Sequence, residues 1–142
     1  MSRLVRLVRL PPAERRLLVL AVLLLGGIAG GLRVLPFQTV RQFLRRIPRA
    51  RWTGGRATPL RVDRIAWAVT TAARYVPGAR TCLPQALAAE ALFGRCGLPA
   101  RLRIGVAPAT GGPFEAHAWV EATGHVVFGA AHPGRYTPLP PF

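Results

Sequence analysis

Residues 81–121 read TCLPQALAAEALFGRCGLPARLRIGVAPATGGPFEAHAWVE, and the apolar period changes within them. Leu83, Ala86, Leu87 and Leu92 recur at helical spacing, and Gly94 and Gly97 supply exits from the helix. Thr81 is placed to cap this helix, and Pro84 suits its first turn, where a missing N–H costs no bond. After Pro99 the period drops to two. Leu102, Ile104 and Val106 oppose Arg101 and Arg103; beyond a loop from Pro108 to Pro113, Phe114, Ala116, Ala118 and Val120 alternate with Glu115, His117, Trp119 and Glu121. Ala122-Thr123-Gly124 closes the second strand, and His125 to Phe128 makes a third. A helix followed by neighbouring strands predicts an α+β domain, with the Cys82 helix packed on a short antiparallel sheet.

Upstream, Val62, Ile65, Ala66, Val69, Ala72 and Ala73 form the stripe of a second core helix, which Pro77-Gly78 stops. Val40 to Ile47 has helical spacing and ends at Pro48. Between these segments Trp52-Thr53-Gly54-Gly55, followed by Thr58-Pro59, reads as a linker. It divides the chain into a basic helical N-terminal extension, 1–52, and a core, 53–142. The first 60 residues carry twelve arginines against one acid, Glu14, whereas the remainder carries eight against four. Within the extension, Leu17 to Leu32 is an uninterrupted apolar run of sixteen residues. A bilayer core takes about 20, and Gly26, Gly27, Gly30 and Gly31 each weaken a helix. Three readings stay open: a helix from about Pro12 to Leu25 packed on the domain or a partner, association with a membrane for which the run is short as a span, or a secretory signal cleaved near Ile28-Ala29-Gly30. The proline-rich tail from Pro133 to Phe142 reads as extended and irregular.

A chain of 142 residues has room for one small domain, not for two enzymes. Its hydrophobic content of 51% excludes a disordered basic tail. The net charge of +15 comes entirely from arginine, with no lysine, as GC-rich bacterial coding produces. The aromatic platforms interleaved with basic residues that single-strand nucleic-acid binders use are missing, so no nucleic-acid partner is expected. Two cysteines, Cys82 and Cys96, are too few for a secreted disulfide scaffold and fit the cytoplasm. No CxxC or HxxxH spacing joins them to His125 or His132, so no metal is expected, and no glycine-rich phosphate loop is present.

Chemistry centres on Cys82 and His117. A thiol at a helix N-terminus is pushed toward thiolate by the positive end of the helix dipole, and its own N–H is free to hold an oxyanion. A histidine on a strand crossing that helix start can act as its base. Without further information the pair reads either as nucleophile and base or as inert packing. Gln85, one turn on, touches substrate or faces solvent; Trp119 shields the imidazole or simply covers the sheet. Cys96 reads as packing or a spare thiol.

Thr81-Cys82-Leu83-Pro84-Gln85-Ala86-Leu87, Leu92-Phe93, Arg95-Cys96-Gly97, Leu102-Arg103-Ile104-Gly105-Val106 and Phe114-Glu115-Ala116-His117-Ala118-Trp119-Val120-Glu121 together resemble the transglutaminase-like leader peptidases of lasso peptide biosynthesis. Glu14-Arg15-Arg16, Leu32-Arg33 and Leu35-Pro36-Phe37 resemble that family's helical extension more loosely. The resemblance implies a papain- and transglutaminase-like core without a cofactor, with Cys82 as nucleophile and His117 as base. It implies a cysteine protease that removes the leader from the precursor of a ribosomally made, post-translationally modified peptide. Its partners would be the precursor peptide, a small leader-binding protein and the macrolactam-forming cyclase. The family places an Asp twelve residues after the His, and here that position is Gly129. If Glu121 pairs with His125 across the hairpin, His117 pairs with residue 129, and Gly129→Asp is expected to restore a carboxylate beside the imidazole. Any substitute in the present chain must be Glu115, Glu121 or a backbone carbonyl. Two rival functions remain: a degenerate, non-catalytic scaffold of the lasso peptide maturation complex, and a small membrane-anchored acyl or peptide transferase.

Overall fold

The computed structural model describes residues 6, 8–48, 59–109, 111–129 and 135–140. The linker at Trp52–Gly55 and His132 lie outside the described residues. Among the described residues the helices α1 (Pro12–Val34), α2 (Phe37–Arg45), α3 (Pro59–Ala73) and α4 (Cys82–Arg95) precede β1 (Ala100–Ala109), β2 (Gly112–Ala122), β3 (His125–Phe128) and β4 (Thr137–Pro138). The strands form one antiparallel sheet in the order β3-β2-β1-β4, so the expected α+β architecture is present.

Helix α4 is the axis of the molecule. Residues 86–94 are all buried, because α1, α3, α2 and the β1–β2 face of the sheet pack around it. Ala86, Ala88, Ala89 and Ala91 let those neighbours approach, while Leu87, Leu92 and Phe93 fill the space between them. Its one charged residue in this stretch, Glu90, is only 9% exposed. The carboxylate accepts the Leu102 N–H at 2.9 Å and lies 3.8 Å from the Arg41 guanidinium, joining α4 to β1 and α2. Leu102 needs that acceptor. Ile104, two residues on and on the same side of β1, accepts from Leu139 N–H, but β4 is too short to reach Leu102.

Helix α1 is longer than its glycines predict. It runs unbroken through Gly26, Gly27, Gly30 and Gly31 to Val34, instead of stopping near Leu25. Each glycine costs about 1 kcal/mol of helix propensity, and burial of Ile28 and Ala29 in the shared core offsets that cost. Gly31 is also needed for packing, since a Cβ there would stand 3.2 Å from Val40 of α2. Pro36 holds Leu35 extended and thereby ends α1.

The β1–β2 hairpin projects beyond the core at its tip, where Phe114 is exposed despite its place on the apolar side of the pattern. At its base Ala118, Val120 and Ala122 are buried against the helices. The tail is not wholly irregular. Thr137 and Pro138 pair with Val106 and Gly105, an addition of two residues that leaves no periodicity to read.

Candidate active site

Cys82 is the first residue of α4. Thr81 stands in extended conformation at the cap position but makes no side-chain cap bond, contrary to the expected role of that hydroxyl. Gln85 fixes the turn instead: its Nε2 donates to the carbonyls of Ala79 and Arg80, both at 3.1 Å. This spends both amide protons, so Gln85 has none for an oxyanion; it lines the cleft as the brace of the loop before Cys82. Pro84 has no N–H, which leaves the backbone N–H groups of Cys82 and Leu83 as first-turn donors without an intrahelical partner.

His117 lies in the middle of β2, opposite Gly105 of β1. Cys82 and His117 line the same cleft of about 660 Å³, walled by Ala66 and Thr70 of α3, Arg80, and the strand Val126–Phe128 with Gly129. No carboxylate lines it among the described residues.

What holds the imidazole differs from expectation. Thr123 and Gly124 both adopt positive φ, 52° and 79°, the signature of a two-residue hairpin turn, so Ala122 pairs with His125 and Glu121 with Val126. A bulge then shifts the register, and Val120 pairs with Phe128. Residue 129 consequently lies beside Trp119, not directly across from His117. A Cβ on Gly129 would stand 3.1 Å from the Ala118 carbonyl and 3.3 Å from Trp119 Cα, on a backbone with φ of +76°. Gly129→Asp therefore does not simply restore a carboxylate beside the imidazole: a side chain there is strained and begins against the backbone of β2. The glycine nevertheless reaches the histidine, because its carbonyl oxygen lies 3.1 Å from His117 Nε2. A carbonyl can only accept, so Nε2 carries the proton, and in the neutral ring Nδ1 carries the lone pair.

The two glutamates are engaged elsewhere. Glu121 accepts from Trp119 Nε1 at 2.8 Å and lies 3.4 Å from Arg103 Nε. Glu115 accepts from Tyr136 Oη and Arg135, each at 3.1 Å. Neither orients the imidazole in this structure. Trp119 is 4% exposed, and its ring stacks 6.1 Å from that of His117; with its N–H committed to Glu121 it backs the histidine and does not line the cleft.

Tyr136 is the residue that the sequence did not disclose. β4 carries it to the sheet edge, where its ring packs 5.2 Å from His117. Gly105 makes this possible, since a Cβ there would fall 2.7 Å from the Trp119 ring and 2.9 Å from Tyr136 Cβ. Partial burial, and then the hydrogen bond to Glu115, push the Tyr136 phenol above its ordinary pKa against the opposing pull of Arg135; Cys82 is near enough to add to the rise. Cys96 is exposed at the far end of α4, which rules out packing and leaves a spare thiol. His125 is exposed on β3, and no cluster of metal-binding side chains occurs among the described residues.

No curated protein and no solved structure matches the chain significantly. The profile of the transglutaminase-like superfamily, by contrast, matches residues 22–140, a span that takes in most of α1, the Cys82 helix, the whole sheet and Tyr136. The helix that begins with a cysteine and the strand that carries a histidine into the same cleft both fall within it, and the chain belongs to the transglutaminase-like superfamily.

Proposed function

We propose that this protein is a cysteine peptidase that removes the leader from a lasso peptide precursor. The observation that carries the reading is one cleft containing Cys82 at a helix start and His117 with its Nε2 proton held by the Gly129 carbonyl. The resemblance of the sequence strings around both residues supports the finer reading, and the precursor, a leader-binding protein and the macrolactam cyclase are the partners it implies.

His117 Nδ1 takes the Cys82 proton, and the thiolate attacks the scissile carbonyl carbon. The resulting oxyanion is held by the N–H groups of Cys82 and Leu83, aided by the positive end of α4. Collapse of the tetrahedral intermediate breaks the C–N bond, and Nδ1 returns its proton to the leaving amine. Water, deprotonated by the same nitrogen, then hydrolyses the thioester and frees the thiol. Throughout, Gly129 O keeps the ring in one tautomer and orientation. An amide oxygen does this in the Cys-His-Asn arrangement of papain-like proteases, and a backbone carbonyl is the same kind of acceptor. Loss of the family's aspartate is thus compatible with turnover, which favours an enzyme over a degenerate scaffold.

Purified protein supplied with precursor and leader-binding partner is expected to release core peptide, and Cys82→Ala and His117→Ala each to abolish release while Cys96→Ala retains it. Release by Cys82→Ala at the parental rate would refute the mechanism. A parent that releases nothing, yet binds cyclase and precursor, would establish the scaffold instead.

A further inference from the structure

The fold uses one side of α1 and leaves the other apolar. No residue from Leu17 to Leu32 has a polar side chain. Ala21, Leu25, Ile28 and Ala29 are buried in the core, whereas Val19 and Leu23 on the outer side are 57% and 66% exposed. Beyond them Gly26, Gly27 and Gly30 have open space where a Cβ would stand. Helix α2 continues the surface: Phe43 is 56% exposed, and with Leu23, Gly27, Leu35 and Leu44 it lines an apolar groove of about 260 Å³ between the helices.

The charge around this face has one sign. Exposed Arg15 and Arg16 border Val19 at one end, and the Arg46 guanidinium lies 5.4 Å from the Phe43 ring centroid at the other. Residues 15–48 contain no acid. The nearest in sequence, Glu14, lies 3.5 Å from Arg64 on α3. A contiguous apolar patch with a basic rim is uncommon on a protein that meets only water. It complements a surface offering hydrocarbon beneath anionic headgroups, which needs no matching shape.

We propose that the outer α1–α2 face seats this protein peripherally on an anionic lipid surface, with α1 lying in the interfacial plane and its inner stripe still packed on the core. A spanning α1 is disfavoured by the packing, since it would withdraw Leu25 and Ile28 from α3 and α4. The proposal stands independently of the chemistry assigned to the cleft.

The test is sedimentation of the purified full chain with vesicles of phosphatidylglycerol and phosphatidylcholine, compared with phosphatidylcholine alone. Binding is expected to the anionic vesicles, to weaken with salt, and to be reversed by an alkaline carbonate wash. Arg15→Gln with Arg16→Gln should lower the partition coefficient by about fivefold per arginine. Val19→Ser, Leu23→Ser and Phe43→Ser together should lower it at least as much, with an unchanged circular dichroism spectrum. Equal binding to both vesicle types, or none to either, would overturn the proposal. So would protein that resists carbonate, which would mean a span, or a stable dimer that ignores vesicles, which would mean that a second copy covers the face.

Discussion

Helix α1 contains sixteen consecutive residues without a polar side chain and still leaves Val19 and Leu23 more than half exposed. Helix α4 contains four alanines and a glutamate within residues 86–94 and is buried on every side there. Depth in this protein follows the number of elements that can close on a helix, and hydropathy does not measure that. Small side chains admit neighbours to α4 from all directions, and the one charge among them is accommodated because its oxygen meets Leu102 N–H and Arg41. The more apolar helix stays at the surface, because among the described residues the other elements pack against one of its sides.

Substitutions along the two helices test that contrast. Phe93→Ala, at a position with no exposure, should show the largest loss of stability, about 3–5 kcal/mol by urea denaturation; a loss below 1 kcal/mol would mean that α4 is not the centre of the core. Glu90→Ala should cost about 2–3 kcal/mol, because it leaves Leu102 N–H without its acceptor and Arg41 without that carboxylate. Glu90→Gln keeps an oxygen for Leu102 and should recover part of the loss. Equal destabilisation by the two variants would assign the whole effect to Arg41.

Gly129→Asp and Gly129→Ala should each cost about 1–3 kcal/mol through the positive φ. Neither should accelerate the leader cleavage we propose. Single-turnover rates decide this: an aspartate variant faster than the parent would show that a carboxylate at 129 reaches the imidazole after all. The smallest effect belongs to Leu23→Ser, which should change stability by under about 0.5 kcal/mol; a larger loss would place that side of α1 inside the packing.

The elements with sustained periodicity, α3, α4, β1 and β2, were legible because each buries one regular stripe or both sides of a regular segment. The reach of α1 was not. Local propensity counts the glycines against the helix, whereas the burial of Ile28 and Ala29 that outweighs them exists only in the folded chain. β4 is two residues long and has no period. The hairpin register failed by a small margin, since a two-residue turn and a bulge are indistinguishable by sequence from a three-residue loop until Thr123 and Gly124 show their dihedrals. In the candidate site, the cysteine and histidine were visible as residue types. Glu90 carries a signal in the sequence, a single acid inside an otherwise apolar helical stretch. Tyr136 had none, because its place depends on β4.

The hydrogen bond from His117 to Gly129 involves a main-chain atom, and this decides what genetics can see. On the proposed mechanism, a scan that exchanges side chains one at a time should find Cys82 and His117 and pass over the third partner, because every substitution at position 129 keeps the carbonyl. What such a scan records there is tolerance of a left-handed backbone. The partner becomes visible only to an edit of the chain itself, such as an ester in place of the amide that follows Gly129, which weakens the oxygen as an acceptor while leaving every encoded residue in place.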